Sequence, residues 1–357
     1  MKPIIFLLFI WTTLATSHAL AQEEERDKSL TISGYIETYY IYDFANPSGH
    51  TRPDFLFSFN RHNEINLNFG FIQAEYTRQR LRGKLAFMAG TYANANLAAE
   101  ALKNIFEANA GIKISPTKNL WLDAGIFASH LGFGSAIGAD CWNMTRSLAA
   151  ESSPYYSSGV KLSYASDNEQ WFLSGQFLNG WQRIQRVPGN QTPAFGHQIT
   201  WTPHEKIMLN SSSFIGSDTP DSLRQMRYFH NFYGQFQFSD KIGLLVGFDI
   251  GAEQKAKGST DYHTWYVPTF IARFAPTQKI ALAGRLEYYS DKGGVIVANG
   301  FEVLGYSLNL DIRWAQNFLW RIEARGFGSQ NGAIFLNRDD QPTTSNYAIG
   351  TSLSISF

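Results

Sequence analysis

From Leu30 onward the apolar side chains fall at every second position rather than in runs. An alternation of period two places one set of side chains on each face of an extended strand, so the pattern restricts the chain to β-sheet. In segment 301–314, Leu304, Tyr306, Leu308, Leu310, Ile312 and Trp314 share one face, while Gly305, Ser307, Asn309, Asp311 and Arg313 share the other. Segment 280–289 sets Ile280, Leu282, Gly284, Leu286 and Tyr288 against Arg285 and Glu287. Segment 345–357 sets Tyr347, Ile349, Leu353, Ile355 and Phe357 against Asn346, Gly350, Ser352, Ser354 and Ser356. In the first strand, Leu30, Ile32 and Ile36 oppose Thr31, Ser33 and Glu37.

Which face meets water decides the fold class. A soluble β-sandwich also alternates, but it buries its apolar face and shows no strict rhythm of short and long loops. Here six short connections share one design: 114–122, 164–172, 201–209, 238–245, 274–282 and 314–321. Most set an aromatic at a strand end, then a few turn formers, then an apolar strand start, and Pro116, Pro203 and Pro276 preset φ in three of them. Aromatics beside such turns fit a membrane-interface girdle. A seventh short turn is expected near Arg78–Arg80. Between the turns lie longer polar or Gly-rich loops at 45–61, 94–104, 130–155, 183–193, 218–226, 256–263, 292–300 and 330–344. Alternating short and long connections give about sixteen strands, the first near 30–43 and the last near 346–357. An even count with both termini on the short-turn side is the rule for outer-membrane barrels. The expected fold is therefore an all-β transmembrane antiparallel up-and-down β-barrel, wide enough for a water-filled lumen.

Composition agrees. Aromatic residues make up 15% of the chain and charged residues 17%, the latter below the roughly 25% of soluble chains. Residues 1–21 read as a cleaved signal peptide: Lys2, an apolar run from Ile4 to Leu14, and the small-residue site Ala19-Leu20-Ala21. A membrane anchor is the competing reading of this run. Residues 22–29 form a polar periplasmic tail, and 30–357 the barrel. No later stretch reaches the length of about 18 apolar residues that a transmembrane helix needs. The 30 basic and 30 acidic residues cancel, which makes nucleic acid an unsuitable partner, and the single Cys141 excludes an internal disulfide framework. No cofactor is expected, because no His or carboxylate cluster has metal-ligand spacing and no Gly-rich stretch precedes a helix.

Projecting the alternation inward puts Arg82, Lys84, Arg285, Arg313, Arg321 and Arg325 in the lumen with Glu287, Asp311 and Glu323 among them. A charged lumen can merely pair with itself; alternatively, a basic wall facing acidic loop residues sets up a transverse field. Tyr35, Tyr39, Tyr289 and Phe327 also project inward, as an aromatic slide would. The stretch 130–156 is the third long connection. Its small residues let it lie against a wall, 142–151 can form a short helix, and Leu131, Phe133, Trp142, Met144 and Leu148 supply packing groups. It is expected to fold into the bore as a constriction loop, with Asp140 and Glu151 facing the inward arginines and Arg146 on the helix's polar side; an external flap is the bland alternative.

Four segments, LTISGYIETYY (30–40), NRHNEINLNF (60–69), GKLAFMAGTY (83–92) and above all 129–162 with its TRSLAAESSPYY run (145–156), resemble the OmpL-like β-barrel porins. The resemblance covers essentially the whole chain after residue 29. It implies a porin in the outer membrane of a Gram-negative bacterium, passing small hydrophilic solutes by passive diffusion and not acting as an enzyme. Its partners would be outer-membrane lipid, the barrel assembly machinery, for which a final strand ending in Phe357 is a recognition signature, and further copies in a homotrimer. Three other functions compete: a substrate-specific channel, a hydrolase on a barrel scaffold, and a surface anchor. For the hydrolase, His62, His130, His230 and His263 lie near loop-side strand ends, yet neither Ser129-His130 nor 132–135 matches a nucleophile motif. For the anchor, the loops are short.

Overall fold

The computed structural model describes residues 29–357; the signal peptide and all but the last residue of the tail lie outside the described residues. Sixteen strands close into one antiparallel barrel. They are β1 (Leu30–Asp43), β2 (Ile65–Arg78), β3 (Leu81–Ala89), β4 (Ile105–Lys113), β5 (Asn119–Ala128), β6 (Tyr156–Ala165), β7 (Trp171–Leu178), β8 (Ala194–His204), β9 (Ile207–Gly216), β10 (Arg227–Gln237), β11 (Ile242–Gln254), β12 (Tyr262–Phe274), β13 (Ile280–Asp291), β14 (Phe301–Ala315), β15 (Phe318–Ser329) and β18 (Ser345–Ser356). A two-residue hairpin, β16 (Phe335–Leu336) and β17 (Pro342–Thr343), decorates the last long loop. Every strand pairs with its sequence neighbour, and β1 pairs with β18, Tyr35 opposite Ser356, to close the ring. Closure leaves no open edge, so every spanning strand has ladder partners on both sides, as a hydrocarbon surround demands.

Seven short turns join β2–β3, β4–β5, β6–β7, β8–β9, β10–β11, β12–β13 and β14–β15, and the expected turn at 78–80 is present, with Gln79 at φ 54°. Eight longer loops occupy the other rim: L1 (44–64), L2 (90–104), L3 (129–155), L4 (179–193), L5 (217–226), L6 (255–261), L7 (292–300) and L8 (330–344). Pro203 departs from expectation: it lies inside β8 at a register shift between Trp201 and His204, and the turn itself is 205–206. A residue without an N–H is tolerated where the ladder is already interrupted.

The outward face is the apolar one. Leu282, Leu286, Leu308, Ile349 and Leu353 are all exposed on it, while Arg285, Glu287, Ser307, Ser352 and Ser354 on the same strands are buried inside. Trp171 and Trp201 stack at 5.4 Å near the short-turn rim, where an amphipathic ring is best placed between lipid and water. Among the described residues no helix is long and apolar enough to cross a membrane.

The interior differs from a uniformly wet lumen. On the long-loop side it is a packed core. Phe55 and Leu56 of L1 and Leu131 and Leu148 of L3 cluster with Trp265, Tyr289, Phe301 and Phe327 of the wall. A second cluster joins Tyr35, Phe69 and Met88 to α1 (Thr91–Asn96), through Tyr92 and Ala93, and to Ala136 of L3. Tyr35, Tyr39, Tyr289 and Phe327 do point inward, but each is buried, Tyr39 in a third cluster with Ile41, Phe59 and Met144, and none lines a free aromatic track.

Candidate functional site

L3 enters the bore and is held there by the wall. Its two ends are tied by the Ser129 N–H donating to Tyr155 O at 3.0 Å. His130 then lies over the Cβ-less Gly196, its Nε2 2.8 Å from Ser213 O. Burial pushes the His130 imidazole down to about 4, so it is neutral. Two aromatic rings cross to β11, where glycines leave flat seats: Phe133 lies on Gly247 and Trp142 on Gly243. The 3-10 turn Gly138–Asp140 abuts Glu37 of β1, and Met144 packs beside Ile41 of β1 and Gly350 of β18. L3 therefore lines the wall from β11 round to β1.

Side chains of β13, β14 and β15 take up the backbone groups of L3. Asn309 Oδ1 accepts from Met144 N at 3.0 Å, Glu323 from Thr145 N at 2.6 Å and Oγ1 at 2.9 Å, and Glu287 from Leu148 N at 2.6 Å. Arg285 donates to Thr145 O at 2.7 Å. Arg321 forms two parallel bonds to Asp311, at 2.7 and 2.9 Å, and spends its remaining N–H groups on Gly138 O, Cys141 O and Asn143 O. The rigid guanidinium fork serves a carboxylate and three carbonyls at once, which an ammonium cannot do. Arg325 pairs with Glu287 at 2.8 Å, and Arg285 with Glu323 at 3.1 Å.

This arrangement also explains the helix. The expected helix over 142–151 shrinks to α2 (Leu148–Glu151), capped by Ser147 Oγ accepting from Ala150 N. Upstream, the amides of Met144 and Thr145 bond to the wall instead of to a preceding turn.

Several expected roles change. The inward arginines are not a wall facing solute; Arg285, Arg321 and Arg325 are buried, and each is paired with a carboxylate. Glu151 makes its hydrogen bonds to L1, accepting from Phe57 N at 2.9 Å and from Ser58 Oγ, while Arg325 and Arg146 act on it through space without a direct ion pair among the described residues. Its burial raises the carboxyl above the usual carboxylate range. Arg146 is buried inside L3, donating to Met144 O and Ala136 O, with Glu37 at 4.0 Å. Asp140 is exposed, its carboxylate accepting from Ser135 Oγ at 3.3 Å and making no ion pair among the described residues. Arg313 lies at the short-turn rim and donates to Gln316 O, apart from the others. Arg82 and Lys84 form a separate group, since β18, β1 and β2 stand between β3 and β15. Arg82 pairs with Asp123 and lies 4.2 Å from the Trp121 ring; Lys84 reaches Glu107 at 3.5 Å and Glu75 at 3.8 Å.

Sequence reasoning missed Glu37 as a partner of L3, the glycine seats on β11 and the L1–L3 contact. It also missed two His–Ser pairs, His197 Nδ1–Ser213 Oγ at 2.5 Å and His230 Nε2–Ser211 Oγ at 3.3 Å. Strand parity puts these on the membrane face with Phe195, Ile199 and Phe232, and among the described residues no carboxylate hydrogen-bonds to either histidine to complete a triad. Among the described residues no group of three or more His, Cys, Asp or Glu stands together to hold a metal ion.

No curated protein matches the sequence. The fold is similar to that of an anion-selective porin from Comamonas acidovorans, at 6% identity and TM-score 0.62, covering 92% of this chain and 99% of that one. OmpT of Vibrio cholerae in its trimer form matches at 9% identity and TM-score 0.59 over 92% and 99%. OmpF of Salmonella typhi in complex with daunomycin matches at 10% and 0.57 over 92% and 97%. At such identities these likenesses speak for the fold. Family membership rests on the sequence itself, which over residues 29–357 matches the description beta-barrel porin-2, OmpL-like. A closed sixteen-strand barrel, an apolar outer wall and a long loop latched within it are thus joined to a family match over the whole described chain, which belongs to the OmpL-like β-barrel porins of the outer membrane.

Proposed function

We propose that L3 is the constriction of this outer-membrane porin, and that small hydrophilic solutes cross by passive diffusion at a rate L3 limits. The observation that carries the reading is the latch, in which Arg285, Arg321, Asn309, Glu287 and Glu323 bond to L3's own backbone. A loop whose amides and carbonyls are consumed by the inner wall cannot leave as an external flap without stranding buried charges. Planar-bilayer recording tests it. The intact protein should give small, stable conductance steps, and deletion of 138–150 should enlarge them. Unchanged steps would remove L3 from the path, and no steps with intact β-sheet by circular dichroism would remove the channel.

Two partner readings belong with it. The outer wall around Leu308, which is 73% exposed, carries cavities of about 770 and 680 Å³ beside the small residues Ala272, Gly284, Ala324 and Gly326. A knob flanked by hollows suits a further copy in a homotrimer, and crosslinking from Leu308→Cys tests this. Phe357, exposed at the end of the final strand, is the residue the assembly machinery would read. Phe357→Ala should then fail to assemble in cells yet refold in detergent.

A further inference from the structure

At the mouth, on the side bounded by L2, L4, L5 and L7, lies a cavity of about 400 Å³, within the range of small-molecule sites at about 300–1,000 Å³. We propose that this cavity is an entry subsite for neutral polyhydroxylated solutes, that is, small saccharides; the proposal rests on the channel reading above, whose substrate class it names.

The polar groups come as fixed pairs. Arg227 binds Glu253 at 2.7 Å, and Arg183 Nε stands 3.5 Å from Asp218 Oδ2, too long to use that donor fully. Each guanidinium keeps N–H groups free, and each carboxylate keeps lone pairs. The rim thus alternates donors and acceptors, and Glu100, which accepts from Ile184 N at 3.1 Å, adds one further carboxylate. Trp181 stands among them, its indole held edge-on by Phe214 and Phe229 at 5.1 and 4.9 Å, its backbone N–H given to Asp218 at 2.9 Å. The Arg227 guanidinium lies 5.3 Å from its ring. Val295 and Ile296 of L7, in the same lining, supply an aliphatic shelf. L7 is itself pinned, its 295–297 amides donating to the Asp291 carboxylate at 2.7–3.0 Å.

The walls are preorganised. Gln182 takes a left-handed backbone, φ 52°, which lets one residue tie three loops. Its side chain accepts from Tyr155 N at 2.9 Å and donates to Asn96 Oδ1 at 3.1 Å, and its carbonyl accepts from Tyr156 Oη at 2.9 Å. Non-glycine residues in this region carry strain that the surrounding structure must hold in place.

Ligand class follows by exclusion. A dianion would meet three carboxylates, Glu100, Asp218 and Glu253; a diamine would have to displace Arg183 and Arg227 from two of those carboxylates. A purely apolar solute would strip water from two ion pairs and return no hydrogen bonds. A sugar ring has an apolar C–H face for the indole or the shelf. Its rim of hydroxyls, each both donor and acceptor, matches the paired charges.

Two readouts on the full-length refolded protein test this. In detergent, maltose should change tryptophan fluorescence saturably, succinate and putrescine should not compete, and Glu253→Gln should raise the half-saturating concentration about tenfold. In a planar bilayer, maltose should block current saturably, and Trp181→Phe should weaken the block. No saturable fluorescence response, or equal competition by succinate or putrescine, overturns the subsite whatever the current does. A saturable response without conductance steps leaves the subsite standing and overturns the channel instead.

Discussion

At the scale of single residues, the informative side chain is Arg321, a cation fully enclosed by one carboxylate and three carbonyls of L3. Removing one partner of a buried ion pair strands the other, at a cost of about 3–5 kcal/mol. Arg321→Met leaves the partly buried Asp311 without its cation and frees the carbonyls of Gly138, Cys141 and Asn143. The expected result is a lower urea midpoint for the refolded barrel, together with larger and noisier conductance steps. Arg321→Lys should move both in the same direction, because an ammonium cannot span four acceptors. A variant with native conductance would show that Arg321 does not hold L3. Glu151 makes a second case. Its carboxyl is raised by burial against L1, so the docked loop binds a proton more tightly than a released loop does. At neutral pH the buried carboxylate therefore opposes docking, and this opposition fades as pH falls through the raised value. Open-channel noise should decrease on acidification, and Glu151→Gln should flatten that dependence. Noise that grows as pH falls would reverse the sign and sink the assignment.

Among elements, the strands and L3 differ in how far the chain announces them. A strand between lipid and lumen repeats one constraint at every second residue, so Leu304 through Trp314 and Tyr347 through Phe357 declare their faces in the sequence. The inward parity of Arg285, Glu287, Asp311 and Arg321 was legible for the same reason. Their partners were not, because they lie up to about 180 positions away: Arg321 bonds to Gly138 at a separation of 183 residues. Periodicity carries no information at that range. Nor does it distinguish a glycine that relieves a turn from one that seats an aromatic ring, and Gly243 and Gly247 do the latter. The mouth residues Arg183, Asp218, Arg227 and Glu253 were hidden likewise, being unremarkable loop-side charges until four loops fold together. The glycine seats give a test at this scale. A Cβ on Gly247 would collide with the Phe133 ring, so Gly247→Val should lift L3 from β11 and leave β11 paired on both sides. Expected are larger conductance steps with unchanged β-sheet circular dichroism; smaller steps would mean that Phe133 holds the path open rather than narrowing it.

For the whole molecule, the question is what field the charges leave once they have paired. The formal net charge is zero, and the latch cations Arg285, Arg321 and Arg325 are each paired with a carboxylate. On the β2–β6 side, Arg82, Lys84 and Lys161 stand with Glu75, Glu107 and Asp123, three charges of each sign. Paired charges at such spacings are screened beyond the Debye length of about 8 Å at physiological salt. The channel as a whole should therefore discriminate weakly between potassium and chloride, with a reversal potential near zero in a potassium chloride gradient. Within L3 a bias is expected from Asp140, its exposed carboxylate, which makes no ion pair among the described residues. It lines a cavity of about 60 Å³ with Phe133, Trp142 and Arg285. Asp140→Asn should move the reversal potential toward the chloride equilibrium value and Asp140→Lys further, while Lys84→Met, in the balanced cluster, should move it toward that of potassium by less. A strong native preference for either ion, or an Asp140→Asn channel indistinguishable from the native one, would mean that solutes do not pass L3 on its Asp140 side.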